Sequence, residues 1–273
     1  MLIPVVAAMT KPTTVMDIFS QLDKSNCGEC GEKTCLAFAS YVFQGRRSKE
    51  ACPRLPVDLL ENSEPCNASP PLIEMSEQDV DTRNRIIGLD FADAALRTGG
   101  LIDAGRLVIK ILGKDFAIDR EGDFFSDIHI IPWLINPFTC YVLNASRAPV
   151  IGEWISFRDI PAGWEYYPLF QKRAEEPLRQ VADRYPALFN DIVSLFQGQE
   201  TIGYQDADVS VILPVFPKLP VLISYYHPME GIESALNIHF DKSASSHVDI
   251  NALFTLGAGL SQMFGKIAAN HQP

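Results

Sequence analysis

The chain has 273 residues, 47% of them hydrophobic, and a formal net charge of −11. That length can bury a core, and that charge argues against nucleic acid or an anionic membrane surface as the binding partner. No apolar run is long enough to span a bilayer, and the apolar start, Met1 to Met9, lacks the basic flank of a secretion signal, so a cytoplasmic protein is expected.

Residues 1–10 read as a short strand. Thr14-x-x-Asp17 is a capping signal, and Val15, Ile18, Phe19 and Leu22 follow at helical spacing. Next comes a run of thiols, Cys27-x2-Cys30-x4-Cys35-x16-Cys52. Thiolates are soft ligands, and four gathered around one point suit Zn²⁺ or an iron–sulfur cluster. The crowding of cysteines at one end of a long chain argues against a disulfide framework. Gly28 and Gly31 allow the tight bends such a loop needs. Cys35 opens an apolar helical run to Gln44, whose N-terminal N–H groups and partial positive charge are expected to face an anionic group. Six basic residues around the loop, Lys24, Lys33, Arg46, Arg47, Lys49 and Arg54, outnumber the acids Asp23, Glu29, Glu32 and Glu50. Local neutralisation of an anionic cluster is the plain reading; a docking patch for an acidic redox partner is the sharper one.

The run Asn26 to Cys35, with Phe38-Ala39, Gly45 and Cys52-Pro53, resembles the small four-cysteine module of the corrinoid iron–sulfur protein large subunit and of the B subunit of Rnf electron-transport complexes. The resemblance covers roughly residues 10–60. It implies one [4Fe–4S] cluster held by Cys27, Cys30, Cys35 and Cys52.

After Arg54-Leu55-Pro56 the composition turns polar and proline-rich through Pro71, a linker signature. The expected domains are a cluster module, residues 1–65, and a larger unit, residues 72–273. Cys66 reads as a free surface cysteine and Cys140, within an apolar run, as a small buried hydrophobe. In the larger unit, Ser76-x-x-Asp79 begins a helical pattern that Gly99-Gly100 ends near Leu96. Arg106–Leu112, Asp115–Ile118 and Phe124-Phe125 read as an antiparallel meander with a turn at Asp119–Gly122. Residues 131–144 read as a helix despite Pro132 and Pro137. Gly152–Pro161 reads as a short strand with a turn. Trp164–Glu175 and Pro177–Tyr185 read as consecutive helices, Pro177 in the first turn. Pro186–Phe196 continues helically and Gly198 closes it. Strands are expected at Asp206–Pro214, Leu219–Tyr226 and Ser234–Phe240, and Ser246-x-x-Asp249 is expected to cap a last helix bearing Leu253, Leu256, Leu260, Phe264 and Ile267. The fold class is therefore α+β, a small helical module followed by a mostly antiparallel sheet covered by helices.

Gly152–Arg158 and Ile238–Ala244 resemble an uncharacterised domain found behind this Fe–S module in anaerobes, a likeness that transfers no catalytic residue. Among candidates in the larger unit, His239 and Asp241 share one strand face, near Ser243, Ser245, Ser246 and His247. The functional reading makes a histidine a ligand or proton donor; the plain one is a capped turn. His227 ends a strand. Arg158-Asp159 reads as an ion pair. Asp206 and Asp208 share a strand face, with nothing to place a substrate between them. No phosphate-cradling loop, GxSxG or HExxH is present. The first expectation is thus a [4Fe–4S] protein passing low-potential electrons to a redox partner protein in anaerobic metabolism. The alternative is a corrinoid-linked protein of one-carbon metabolism, with a corrinoid protein or methyltransferase as partner. A third is a zinc or structural-cluster interaction module. DxHxxG, the cobalamin signature, is absent.

Overall fold

The structure is a computed structural model that describes residues 15–43, 46–55, 84–126, 132–185 and 187–270. The readings at residues 1–10, at Thr14, at Cys66 and its linker, and at Ser76-x-x-Asp79 lie outside these residues. The chain divides into two compact units, residues 1–69 and 70–272.

The first unit packs helix α1 (Val15–Ser20) on helix α2 (Cys35–Phe43). Ile18, Phe19 and Leu22 from the first element meet Leu36, Ala37, Phe38 and Ala39 from the second, all buried. This apolar contact is the module's core, and it is small enough that a bound metal group would add much of its stability.

The second unit is α+β, with two antiparallel sheets. Asp90 begins helix α3 (Phe91–Thr98) by accepting the N–H groups of Ala92 and Asp93, and Gly99 ends it in the left-handed conformation. The expected meander follows: β1 (Leu101–Asp103), β2 (Arg106–Ile111), β3 (Lys114–Ile118) and β4 (Phe124–Ser126) pair in that order. The β2–β3 turn, Leu112-Gly113, has positive φ at both residues, the twist that two-residue hairpins favour. The Leu112 N–H then donates to Pro214 O at 3.0 Å, tying this sheet to the next.

Helix α4 (Pro132–Asn144) leads to the edge strand β5 (Trp154–Ser156). The second sheet runs β5-β9-β8-β7-β6, with β6 at Gln199–Glu200, β7 at Val209–Phe216, β8 at Leu219–Tyr226 and β9 at Ala235–Asp241. One face carries Val211, Leu213, Val221, Ile223, Ile238 and Phe240. It is covered by α5 (Gly163–Phe170), α6 (Glu176–Arg184), α7 (Leu188–Phe196) and the long α8 (Ile250–Asn270). Phe170 stacks on Phe157 at 4.1 Å between ring centres. Of the predicted stripe, Leu253, Leu256, Leu260 and Phe264 are fully buried and Ile267 is half-buried.

Four expectations need correction. The two consecutive helices are one helical run, α5 and α6, joined by a π-turn at Gln171–Glu175 in which Glu176 N–H donates to Gln171 O. Pro177 has no N–H for the Arg173 carbonyl, so the preceding turn is free to widen. The end of α7 is turned by Gln197, at φ 53°, rather than Gly198. Asp249, not Ser246, caps α8, accepting Ala252 N–H at 2.8 Å. β7 begins at Val209, so Asp206 and Asp208 precede the strand and share no strand face; Asp208 instead accepts His227 N–H at 2.7 Å.

Candidate metal centre

Cys27 and Cys30 sit on a loop built by local bends, Cys35 opens α2 and Cys52 follows the short 3-10 turn Lys49–Ala51. Gly28 and Gly31 both have positive φ, 73° and 85°, and Gly31 N–H closes a turn onto Gly28 O at 2.9 Å, holding Cys30 at its bend. Asn26, also at positive φ, reaches across with Oδ1 to accept the Cys35 N–H at 2.8 Å. Thr34 caps α2 by accepting Ala37 N–H at 3.1 Å. Two N–H groups of the first turn of α2 are therefore satisfied within the chain, which corrects the expectation that this helix end is open to an anion.

Cys35 is buried, Cys30 and Cys52 are half-buried and Cys27 is exposed; all four are free thiols. Burial pushes the Cys35 thiol up; the hydrogen bond with Asn26 opposes that, and the negative charge of Asp23 adds to it. Among the described residues, no three His, Cys, Asp or Glu side chains are gathered tightly enough to hold one metal ion. The donor set and the bends at Gly28 and Gly31 fit an iron–sulfur cluster.

The surrounding cations are partly spent within the loop. Arg54 pairs with Glu29 and lies 3.6 Å from Asp23, and Arg47 pairs with Glu32 at 3.1 Å. The Arg54–Glu29 hydrogen bond holds the Glu29 carboxyl below its ordinary range, and hydrogen bonds from Ser25 do the same for Asp23. Lys24 lies over the Phe19 ring and Arg46 over Tyr41.

In the larger unit the polar candidates are structural. Asp241, fully buried, accepts N–H groups from Ile151, Gly152 and Ser243 and the Ser243 hydroxyl. Burial alone would raise its carboxyl, but those four bonds hold it low. It anchors the loop that delivers β5 to the sheet. His239 Nε2 lies 3.0 Å from Ser224 Oγ and the ring meets Tyr204 edge-on. Burial pulls its pKa down to about 4, with Asp159 pulling weakly upward. Ser224 is wholly buried, so this Ser–His pair offers no reachable nucleophile. His247 is also buried, which lowers its pKa, and neither of its ring nitrogens has a hydrogen-bond partner among the described residues. His227 is exposed, and Arg158–Asp159, at 3.5 Å with both side chains over half exposed, is worth little. Cys140 is half-buried rather than buried, its thiol raised by desolvation.

The sequence reading missed Glu175. It lies on the π-turn, 3% exposed, accepting Ile238 N–H at 3.0 Å and the Tyr167 hydroxyl at 3.3 Å. β5 stops pairing at Ser156, opposite His239, so the neighbouring Ile238 N–H would be left without a strand partner. The carboxylate takes that place, and burial raises its pKa. The only sequence signal was an acid beside the buried-face positions Phe170, Ala174 and Leu178. A cleft of about 270 Å³ lies between the β1–β3 sheet and the β7–β8 hairpin, with the Lys110–Asp115 pair at 2.7 Å among its lining; it gathers no further charged group.

Residues 90–263, well over half of the chain, match the family described as a domain of unknown function, DUF3786. The chain belongs to the DUF3786 family. Ahead of the DUF3786 domain, residues 22–54 match a family described as "Putative Fe-S cluster". Curated relatives match the same end of the chain. The corrinoid/iron-sulfur protein large subunit of Moorella thermoacetica is 41% identical over 64 residues, 23% of this chain and 14% of that protein. The acetyl-CoA decarbonylase/synthase complex subunit gamma of Methanopyrus kandleri is 38% identical over 63 residues, 23% of this chain and 13% of that protein. The same subunit of Methanothermobacter thermautotrophicus is 40% identical over 45 residues, 16% of this chain and 10% of that protein. The DUF3786 protein thus spans about a seventh or less of the length of these relatives. No solved structure matches it. No helix among the described residues is long and apolar enough to cross a membrane.

Proposed function

We propose that this protein is an electron-transfer protein whose single [4Fe–4S] cluster is held by Cys27, Cys30, Cys35 and Cys52 in a module of residues 1–65. The α+β unit, residues 72–273, serves as the partner-specific part. The observation that carries the reading is the run of four cysteines, bent at Gly28 and Gly31, within the region that matches an iron–sulfur family. Bound there, the cluster would accept and release one electron at a time. Cys35, buried at the start of α2, would anchor its inner side. Cys27, exposed beside Arg54, would mark the side open to a partner. Arg54 and Arg47 would offset part of the cluster's negative charge. No side chain of the larger unit gathers into a reachable catalytic set among the described residues, which favours carrying electrons over transforming a substrate.

A second reading is favoured by the relatives. One is named a corrinoid/iron-sulfur protein subunit, so the cluster would serve to reduce a cobalt centre in one-carbon chemistry, on a corrinoid protein or methyltransferase partner. Oxygen-free purification with assay of iron, acid-labile sulfide, zinc and cobalt, and electron paramagnetic resonance before and after reduction, tests both. About four iron and four sulfide per chain, with a spin-half signal on reduction, is the expected result. Cys35→Ser should lower the iron and sulfide content and alter that signal. Cobalt in the same sample would favour the corrinoid reading. Zinc without sulfide, or a cluster that no reductant changes, would overturn the electron-transfer reading.

A further inference from the structure

The outer side of the α5 helical run is widely exposed. Trp164 is 73% exposed, Leu169 49% and Tyr166 43%, in a unit whose other large aromatic side chains mostly sit inside. Glu165, Lys172 and Arg173 on the same run are exposed, and among the described residues none of the three makes an ion pair. Elsewhere the unit pairs many of its charges, as in Arg179 with Glu176 and Asp183, or Arg97 and Arg147 with Asp93. The π-turn begins at Gln171 and keeps Lys172 and Arg173 outward while Ala174 and Glu175 turn in.

The order of these residues is self-complementary. A two-fold axis between Pro168 and Leu169, with two copies of the run laid antiparallel, places Glu165 of one copy opposite Lys172 of the other, and the reverse. The same axis brings Pro168 and Leu169 onto their counterparts at the centre and leaves Trp164 on the flank of that face. Seven residues of helix rise about 10 Å, so the two ion pairs bracket an apolar centre. The pattern of apolar anchors with charges at the rim is that of a protein interface. We propose that this face is the interface of a homodimer, with the second copy of the chain as its occupant, and that the dimer is antiparallel about this axis.

The test is the association state of the full chain, purified without oxygen and with a thiol reductant so that the cysteines cannot cross-link. Sedimentation equilibrium over about 1–200 μM should show a dimer in equilibrium with monomer. Trp164→Ala should weaken association about tenfold or more, since the two-fold counts every loss twice. E165K and K172E should each weaken it, by placing like charges opposite one another. The double variant E165K/K172E should recover most of the lost affinity, because the reversed pairs attract again across the same axis. A structural role of either residue would give no such recovery. Circular dichroism confirms that each variant is folded. A chain that stays monomeric throughout, a dimer indifferent to Trp164→Ala, or a folded double variant no better than the singles would each overturn the proposal.

Discussion

His239 gives the most direct check on the packing described here. It is 6% exposed on β9, with Nε2 against the Ser224 hydroxyl, and burial lowers its pKa from 6.5 to about 4. The folded state therefore holds the ring neutral at pH values where the unfolded chain protonates it. The unfolded state binds more protons throughout that window, so stability falls as pH drops from about 6.5 towards about 4 and is unaffected above it. With those two values the loss attributable to His239 at about pH 5 is about 2 kcal/mol. His239→Gln keeps an acceptor near Ser224 but has no proton to gain. Urea unfolding of both proteins should be compared at about pH 7.5 and about pH 5, followed by circular dichroism. His247, Glu175 and the surface carboxylates titrate in both proteins and cancel in the difference. The wild type should lose about 2 kcal/mol more than the variant between the two pH values. Parallel losses would refute the reasoning, because they would mean that the ring is solvated, or protonated in the fold, and not buried neutral.

Other perturbations follow from single contacts. A Cβ on Gly163 would sit 1.9 Å from the Phe157 carbonyl oxygen, and backbone cannot step aside as a side chain can; Gly163→Ala should cost about 3 kcal/mol or prevent folding, read by thermal melting. Glu175→Gln retains an acceptor for Ile238 N–H and removes a buried charge, so it should stay within about 1 kcal/mol of wild type, whereas Glu175→Leu strands that N–H and should cost about 1–3 kcal/mol in urea unfolding. Phe170→Ala empties a fully buried ring site stacked on Phe157 and should cost about 3–5 kcal/mol, with a visible fall in melting temperature.

Features written in consecutive residues were legible in the chain alone. The Cys27-x2-Cys30-x4-Cys35-x16-Cys52 spacing, the meander ending at Phe124, the two long hairpin strands around Pro217-Lys218 and the apolar stripe of α8 depend on period and turn chemistry, which act over a few residues. The α+β class followed from their sum. Ambiguities between neighbours a few residues apart went either way: Asp249 rather than Ser246 caps α8, and Gln197 rather than Gly198 turns the end of α7, because both choices are locally cheap and packing selects one. What tertiary structure alone decided were partnerships across long stretches of chain. Asp241 meets Ile151 and Gly152 about ninety residues away, and Glu175 replaces the missing strand partner of Ile238 sixty-three residues on. His239 and Asp241 share a strand face, as alternation requires, yet become a buried prop and a loop anchor and not a catalytic pair. Sequence sets which groups a residue offers and the local geometry in which it offers them. Burial and the identity of the partner belong to the fold, because they depend on which distant backbone groups are left unpaired once the sheets have formed.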